Sequence, residues 1–124
     1  MKSDIEMIGS ITAAAIRSIG DELAFVFPQV LDVIKECSIN DIAVLGVDVH
    51  KARGERYQTV YLSAFEVPVP RPGLAIKDWK NFVQSNNSLA ENFVRQHPTS
   101  DDHFYLLAAT SWREFCQLQA MKLQ

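Results

Sequence analysis

Ile42-Ala43-Val44-Leu45-Gly46-Val47-Asp48-Val49-His50, followed beyond Lys51 to Arg56 by Tyr57-Gln58-Thr59-Val60-Tyr61-Leu62-Ser63-Ala64-Phe65-Glu66-Val67, is the stretch that decides the fold. Both segments are dense in β-branched and aromatic residues, and Arg53-Gly54 between them supplies turn residues. The pattern predicts a hairpin. With Arg53 and Gly54 at the centre of the turn, Val47 pairs with Val60, Leu45 with Leu62 and Ala43 with Ala64, which makes one face apolar. The opposite face then carries Ile42, Val44, Gly46, Asp48 and His50 against Tyr57, Thr59, Tyr61, Ser63 and Phe65. In this register Glu66 falls on the apolar side.

Downstream, Pro68, Pro70 and Pro72 alternate before Gly73 and end the sheet pairing. Ile76, Trp79, Phe82, Val83, Leu89, Ala90, Phe93 and Val94 then recur at helical spacing, and Trp79, Phe82 and Phe93 read as packing residues. Asn86 interrupts this stripe within Ser85-Asn86-Asn87-Ser88. An amide on an apolar face needs partners, so a break into two short helices is the expected solution, with one helix over 76–96 as the alternative. His103 to Thr110 reads as a further strand. Ser111-Trp112-Arg113-Glu114 has capping-box spacing and opens a final helix over Phe115, Leu118 and Met121.

Upstream, Ser3-Asp4-Ile5-Glu6 has the same capping-box spacing. Ile5, Ile8, Ile11, Ala15, Ile19 and Leu23 continue from it with a helical period, so a helix is predicted up to a kink between Gly20 and Pro28. A second helical piece runs through Val30, Leu31, Val33 and Ile34 to Cys37, with a turn at Ser38-Ile39-Asn40-Asp41. The expected class is α+β: a small, mainly antiparallel sheet, a hairpin plus at least one more strand, with helices packed on one face. The other face carries no predicted cover.

The 124 residues suit a single domain spanning 1–124, and 48% apolar against 22% charged residues excludes the composition of a disordered chain. The net charge of −3 argues against a nucleic-acid partner, even though Lys51, Arg53 and Arg56 form a basic hairpin tip. Acidic residues at the start, and apolar runs far short of a membrane span, point to a soluble cytoplasmic protein with no membrane association. Cys37 and Cys116 suit neither a disulfide scaffold nor a zinc pair.

Asp48 and His50 lie two apart on a strand and therefore point to one side. With His97 and His103 at no recognised ligand spacing, no metal and no cofactor is expected. No serine elbow, phosphate-binding glycine loop or dinucleotide fingerprint occurs, and no catalytic residue is assigned. The leading expectation is a non-catalytic, bacterial-type protein-binding module that uses Asp48, His50, Tyr57, Thr59 and Tyr61 on the uncovered sheet face. In size, acidity and α+β make-up the chain resembles the small immunity proteins that neutralise bacterial toxins, which offer acidic and aromatic side chains to a basic enzyme. This likeness of class rests on no shared motif and carries over no functional residue. Asp48, Tyr57, Tyr61 and Glu66 are this chain's candidates of that kind. The rival expectation is a small-molecule binding protein or enzyme in which Asp48, His50, Tyr61 and His103 converge in a pocket. A homodimer formed through the same face is the third reading.

Overall fold

The computed structural model describes residues 4–5, 8–9, 11, 15, 17–19, 22–53, 58–67, 75–97 and 103–122. Its elements are β1 (Arg17–Ile19), β2 (Glu22–Phe25), α1 (Gln29–Ile39), β3 (Ile42–Arg53), β4 (Gln58–Glu66), α2 (Ile76–Gln96), β5 (His103–Ser111) and α3 (Trp112–Lys122). The strands form one sheet in the order β1-β2-β5-β3-β4, and every ladder is antiparallel. β2 and β3 both flank β5, so they run parallel to each other, and α1 makes the crossover between them. β4 and β5 flank β3 in the same way, with α2 as their crossover. The α+β architecture expected from the sequence is the one found.

The predicted helix from Ser3 to Leu23 is corrected. Ile5, Ile8 and Ile11 do pack into the core, and Ile11 donates its N–H to Ile8 O at 3.1 Å. From Arg17, however, the chain forms a hairpin in which Ile19 pairs with Glu22. Gly20 and Asp21, between the two strands, lie outside the described residues. Ala24 and Phe25 point to different sides of the sheet, one in a small cluster with Phe104 and Leu106 and the other in the main core. A strand buried on both sides reads as a continuous apolar run, and Leu23 to Phe27 is such a run. Ser3 and Glu6, the ends of the upstream capping box, lie outside the described residues, as do Gly54 to Tyr57 and the Pro68–Pro72 connection.

α1 buries Val30, Leu31, Val33, Ile34 and Cys37. Together with Ala90 and Val94 of α2, these side chains cover Val44, Val47 and Val49 of β3 and Tyr105 and Leu107 of β5. A second cluster joins Trp79 and Val83 of α2 to Phe115 of α3 around Ala43, with Phe115 stacked on Trp79 at 5.1 Å. Of the residues read as packing in the sequence, Trp79 is core, and Phe82 and Phe93 pack against the clusters partly buried. Among the described residues no helix is long and apolar enough to cross a membrane.

α2 is one unbroken helix of 21 residues, and the expected break at Asn86 does not occur. The reason lies in β3. Its first residues pair with β5 on one edge, but β4 has no residue opposite them: the β3–β4 ladder ends at Gly46 and Glu66, followed by one bond from Val67 N–H to Leu45 O at 2.9 Å. Pro68, next in the chain, has no N–H to extend it. Asn87 Oδ1 accepts from Val44 N–H at 2.8 Å, and its Nδ2 donates to Ile42 O at 2.9 Å. Asn86 Nδ2 donates to Val44 O at 2.5 Å. Two helix amides thus do for this edge what a neighbouring strand does elsewhere. Asn87 Nδ2 also donates to Ser38 Oγ at 3.0 Å, which ties α1 into the same junction.

The downstream capping box is present as read. Ser111 Oγ accepts from Glu114 N–H at 3.1 Å and Glu114 Oε1 accepts from Ser111 N–H at 3.1 Å. Ser111 Oγ also donates to Asp4 Oδ2, and Arg113 forms a two-pronged ion pair with the same carboxylate. The start of the chain is thereby fastened to the start of its last helix.

Two outcomes are expected. Asn87→Ala leaves two buried backbone groups, Val44 N–H and Ile42 O, and the partly buried Ser38 hydroxyl short of a bond, so urea melts should show a loss of roughly 2–4 kcal/mol; a loss within experimental error would remove the amide junction as a stabilising element. The Arg113 guanidinium, aided by Ser111 and opposed by burial, holds the Asp4 carboxyl below its ordinary value. A lowered folded pKa means that stability is fully present above the unfolded pKa and is lost as pH falls through the folded value. The stability difference between the wild-type chain and Asp4→Asn should therefore shrink on acidification below about pH 4. An unchanged difference in acid melts would contradict this.

Candidate functional site

The hairpin is real, but its register differs from the expected one. Val47 pairs with Phe65, Asp48 with Ala64 and Val49 with Ser63; beyond a bulge, His50 pairs with Tyr61, Lys51 with Val60 and Arg53 with Gln58. Arg53 and Gly54 are therefore not the central pair of a two-residue turn, because four residues separate the strands. The bulge gives β4 one residue more than β3, so beyond it the faces of β4 exchange. Phe65 joins the helix-side core, where it meets Phe93 at 5.8 Å. Glu66, expected on the apolar side, is in the row of Gly46 on the side facing away from α1 and α2.

On that far side the rows are legible from β3 outward. Gly46 is opposite Ala108, Asp48 opposite Leu106 and His50 opposite Phe104 in β5; His50 lies flat on Phe104 at 5.5 Å. The far side is less open than the sequence suggested. Phe104 and Leu106 are 2% and 7% exposed and cluster with Ala24 and Val26. What remains is a groove of about 210 Å³, flanked by Asp48 and Glu66 and floored by Gly46, Leu106 and Ala108. A Cβ on Gly46 would stand 3.3 Å from Ala108 Cβ, so glycine keeps this floor low. Asp48 is partly buried and Glu66 exposed. Among the described residues neither carboxylate has an ion-pair partner.

Of the predicted binding residues, Asp48 lines the groove and His50 sits one row beyond it. Tyr61 and Thr59 are placed by the ladder opposite His50 and Ala52; Tyr57 lies outside the described residues. The four-residue pocket of the rival reading is divided. His103 pairs with Lys51, one position from the row of His50 and Phe104, so strand alternation turns it to the helix side. Its ring meets His97 instead, at 6.0 Å.

Sequence reasoning missed Glu66, Leu106 and Ala108 as neighbours of Asp48. A glycine within a strand signals a bulge or close backbone approach, and Gly46 was the one available pointer to the groove floor. The ladder from β3 to β5 is indeed irregular between Val44 and Gly46.

Among the described residues no nucleophile is assembled with these groups. Cys37 is buried among core residues, and burial, with a contribution from Glu36, pushes its thiol up to about 12. Both cysteines are free. The Ser111 hydroxyl is committed to the α3 cap. Among the described residues no three of His, Cys, Asp and Glu are arranged to hold a metal ion. Comparison with protein-family models, with curated proteins and with solved structures finds no match.

Tyr105 lies in the helix-side core, fully buried, with a hydroxyl that meets no hydrogen-bond partner among the described residues. Burial pushes its pKa up and keeps the phenol neutral. A buried, unpaired hydroxyl opposes stability, so Tyr105→Phe is expected to leave stability unchanged or raise it by up to about 1 kcal/mol in urea melts. A clear destabilisation would mean that the hydroxyl has a partner in solution.

Proposed function

We propose that the chain is a non-catalytic protein-binding module that receives a basic side chain of its partner in the groove between Asp48 and Glu66. The observation that carries this reading is a carboxylate pair that meets no cation among the described residues, set over an apolar floor. A carboxylate partly withdrawn from water and left unpaired is disfavoured, and an incoming Arg or Lys relieves that cost while its stem covers Leu106 and Ala108. At about 210 Å³ the groove is below the roughly 300–1,000 Å³ of sites that enclose a drug-sized molecule. It suits one or two side chains of a larger partner better than a whole ligand. The net charge of −3 works in the same direction, favouring encounter with a basic protein. An immunity-type inhibitor of a basic toxin is the narrower form of this proposal, supported by size, acidity and fold class alone. His50, Thr59 and Tyr61 extend the contact surface along β3 and β4.

The test is capture from the native lysate by the untagged chain coupled to a resin, with retained species identified by mass. A specific partner should be retained by the wild-type chain and by Asp32→Ala on exposed α1, and should be lost by roughly tenfold or more with Asp48→Lys or Glu66→Lys. Retention should also weaken as salt is raised. Equal retention by all variants would exclude the groove. Sedimentation of the wild-type chain separates this outcome from self-association through the same surface.

A further inference from the structure

His97 and His103 stand at the two ends of the connection from α2 to β5, on the helix side of the sheet and away from the groove. His97 is where α2 stops, its N–H still bonded to Phe93 O at 3.1 Å and Val94 O at 3.3 Å. His103 is the first residue of β5. Their ring centres are 6.0 Å apart with planes at 66°, and Phe93 packs against the His97 ring at 5.9 Å. His103 Nδ1 is buried and meets no hydrogen-bond partner among the described residues.

An imidazole nitrogen removed from water without a partner needs an explanation, and a bound ion or ordered water is the usual one. Two imidazoles on one ion, with metal–nitrogen distances of about 2.0–2.1 Å, have ring centres roughly 5–6.5 Å apart for tetrahedral to linear angles. The observed separation of 6.0 Å lies in that interval. The last turn of a 21-residue helix adds partial negative charge at the same place, which favours a cation. Nitrogen donors select zinc-class ions over magnesium or calcium.

We propose that His97 and His103 form a two-imidazole site for a divalent transition metal, which clips the end of α2 to the start of β5. No third described side chain joins them.

The probe is Zn²⁺ alone, titrated calorimetrically into the untagged full chain near neutral pH. One ion per chain is expected. His97→Gln and His103→Gln should each weaken binding by about tenfold or more, since loss of even an outer-sphere partner has an effect of that order. His50→Gln, on the other side of the sheet, should bind as the wild-type chain does. No binding by the wild-type chain, unchanged binding by either of the first two variants, or an equal loss in His50→Gln would overturn the site. If a variant fails to fold, substoichiometric Co²⁺ added to the wild-type chain decides the matter by NMR. The imidazole resonances of His97 and His103 should respond before those of His50, and the reverse order overturns the proposal.

Discussion

A β-strand that loses its neighbour part-way along must find other partners for its backbone, and the rest of this structure is arranged around that requirement in β3. β4 gives out at Glu66, and the amides of Asn86 and Asn87 take over at Val44 and Ile42. These bonds fix how far α2 can roll or slide, because a side chain as short as Asn reaches a strand edge from one position only. With that position set, Trp79 and Val83 reach the α3 cluster while Ala90 and Val94 reach the main core. Ser38 brings α1 to the same point. Asn86 Oδ1, buried with no partner among the described residues, shows that the arrangement is not without cost.

The groove follows from the same early end of β4. Were the strand to continue beyond Val67, the edge of β3 beside Leu45 would be covered and the depression there filled. Instead β3 is irregular between Val44 and Gly46 where it meets β5, and Gly46 presents no side chain in the gap. The two acids arrive by different routes. Asp48 is delivered by simple alternation along β3, and Glu66 by the bulge that exchanges the faces of β4.

This difference explains what was legible in the sequence. Alternation is intrinsic to a strand, so Asp48 and His50 were placed on one side correctly from their spacing alone. The capping box at Ser111–Glu114 was equally local and equally readable. Register is not local. It depends on a loop of four residues and on an extra residue in β4, and neither has a signature in Lys51–Arg56 or in Leu62. Asn86 was recognised as anomalous, but the exposed strand edge that satisfies it belongs to residues more than 40 positions away. The segment from Arg17 to Phe25 was misread for a different reason. Ile19 and Leu23 fit a helical period, yet a strand buried on both faces has no period to betray it.

The electrostatics of the groove distinguish its two carboxylates. Glu66 is exposed, and a charge there is screened by solvent and salt, so it steers approach more than it holds a partner. Asp48 is partly buried beside Leu106, in surroundings less polarisable than water, where the same charge interacts more strongly at a given distance. Under the proposed function, a cation entering between them would gain most of its attraction only on reaching the floor, and its aliphatic stem would then have to fit the space that Gly46 leaves. Charge complementarity at the rim and shape at the base act in sequence on the same side chain. A basic residue that is bulky near its backbone would satisfy the first requirement and fail the second. Under the proposed function, the selectivity of the groove would reside in its glycine as much as in its acids.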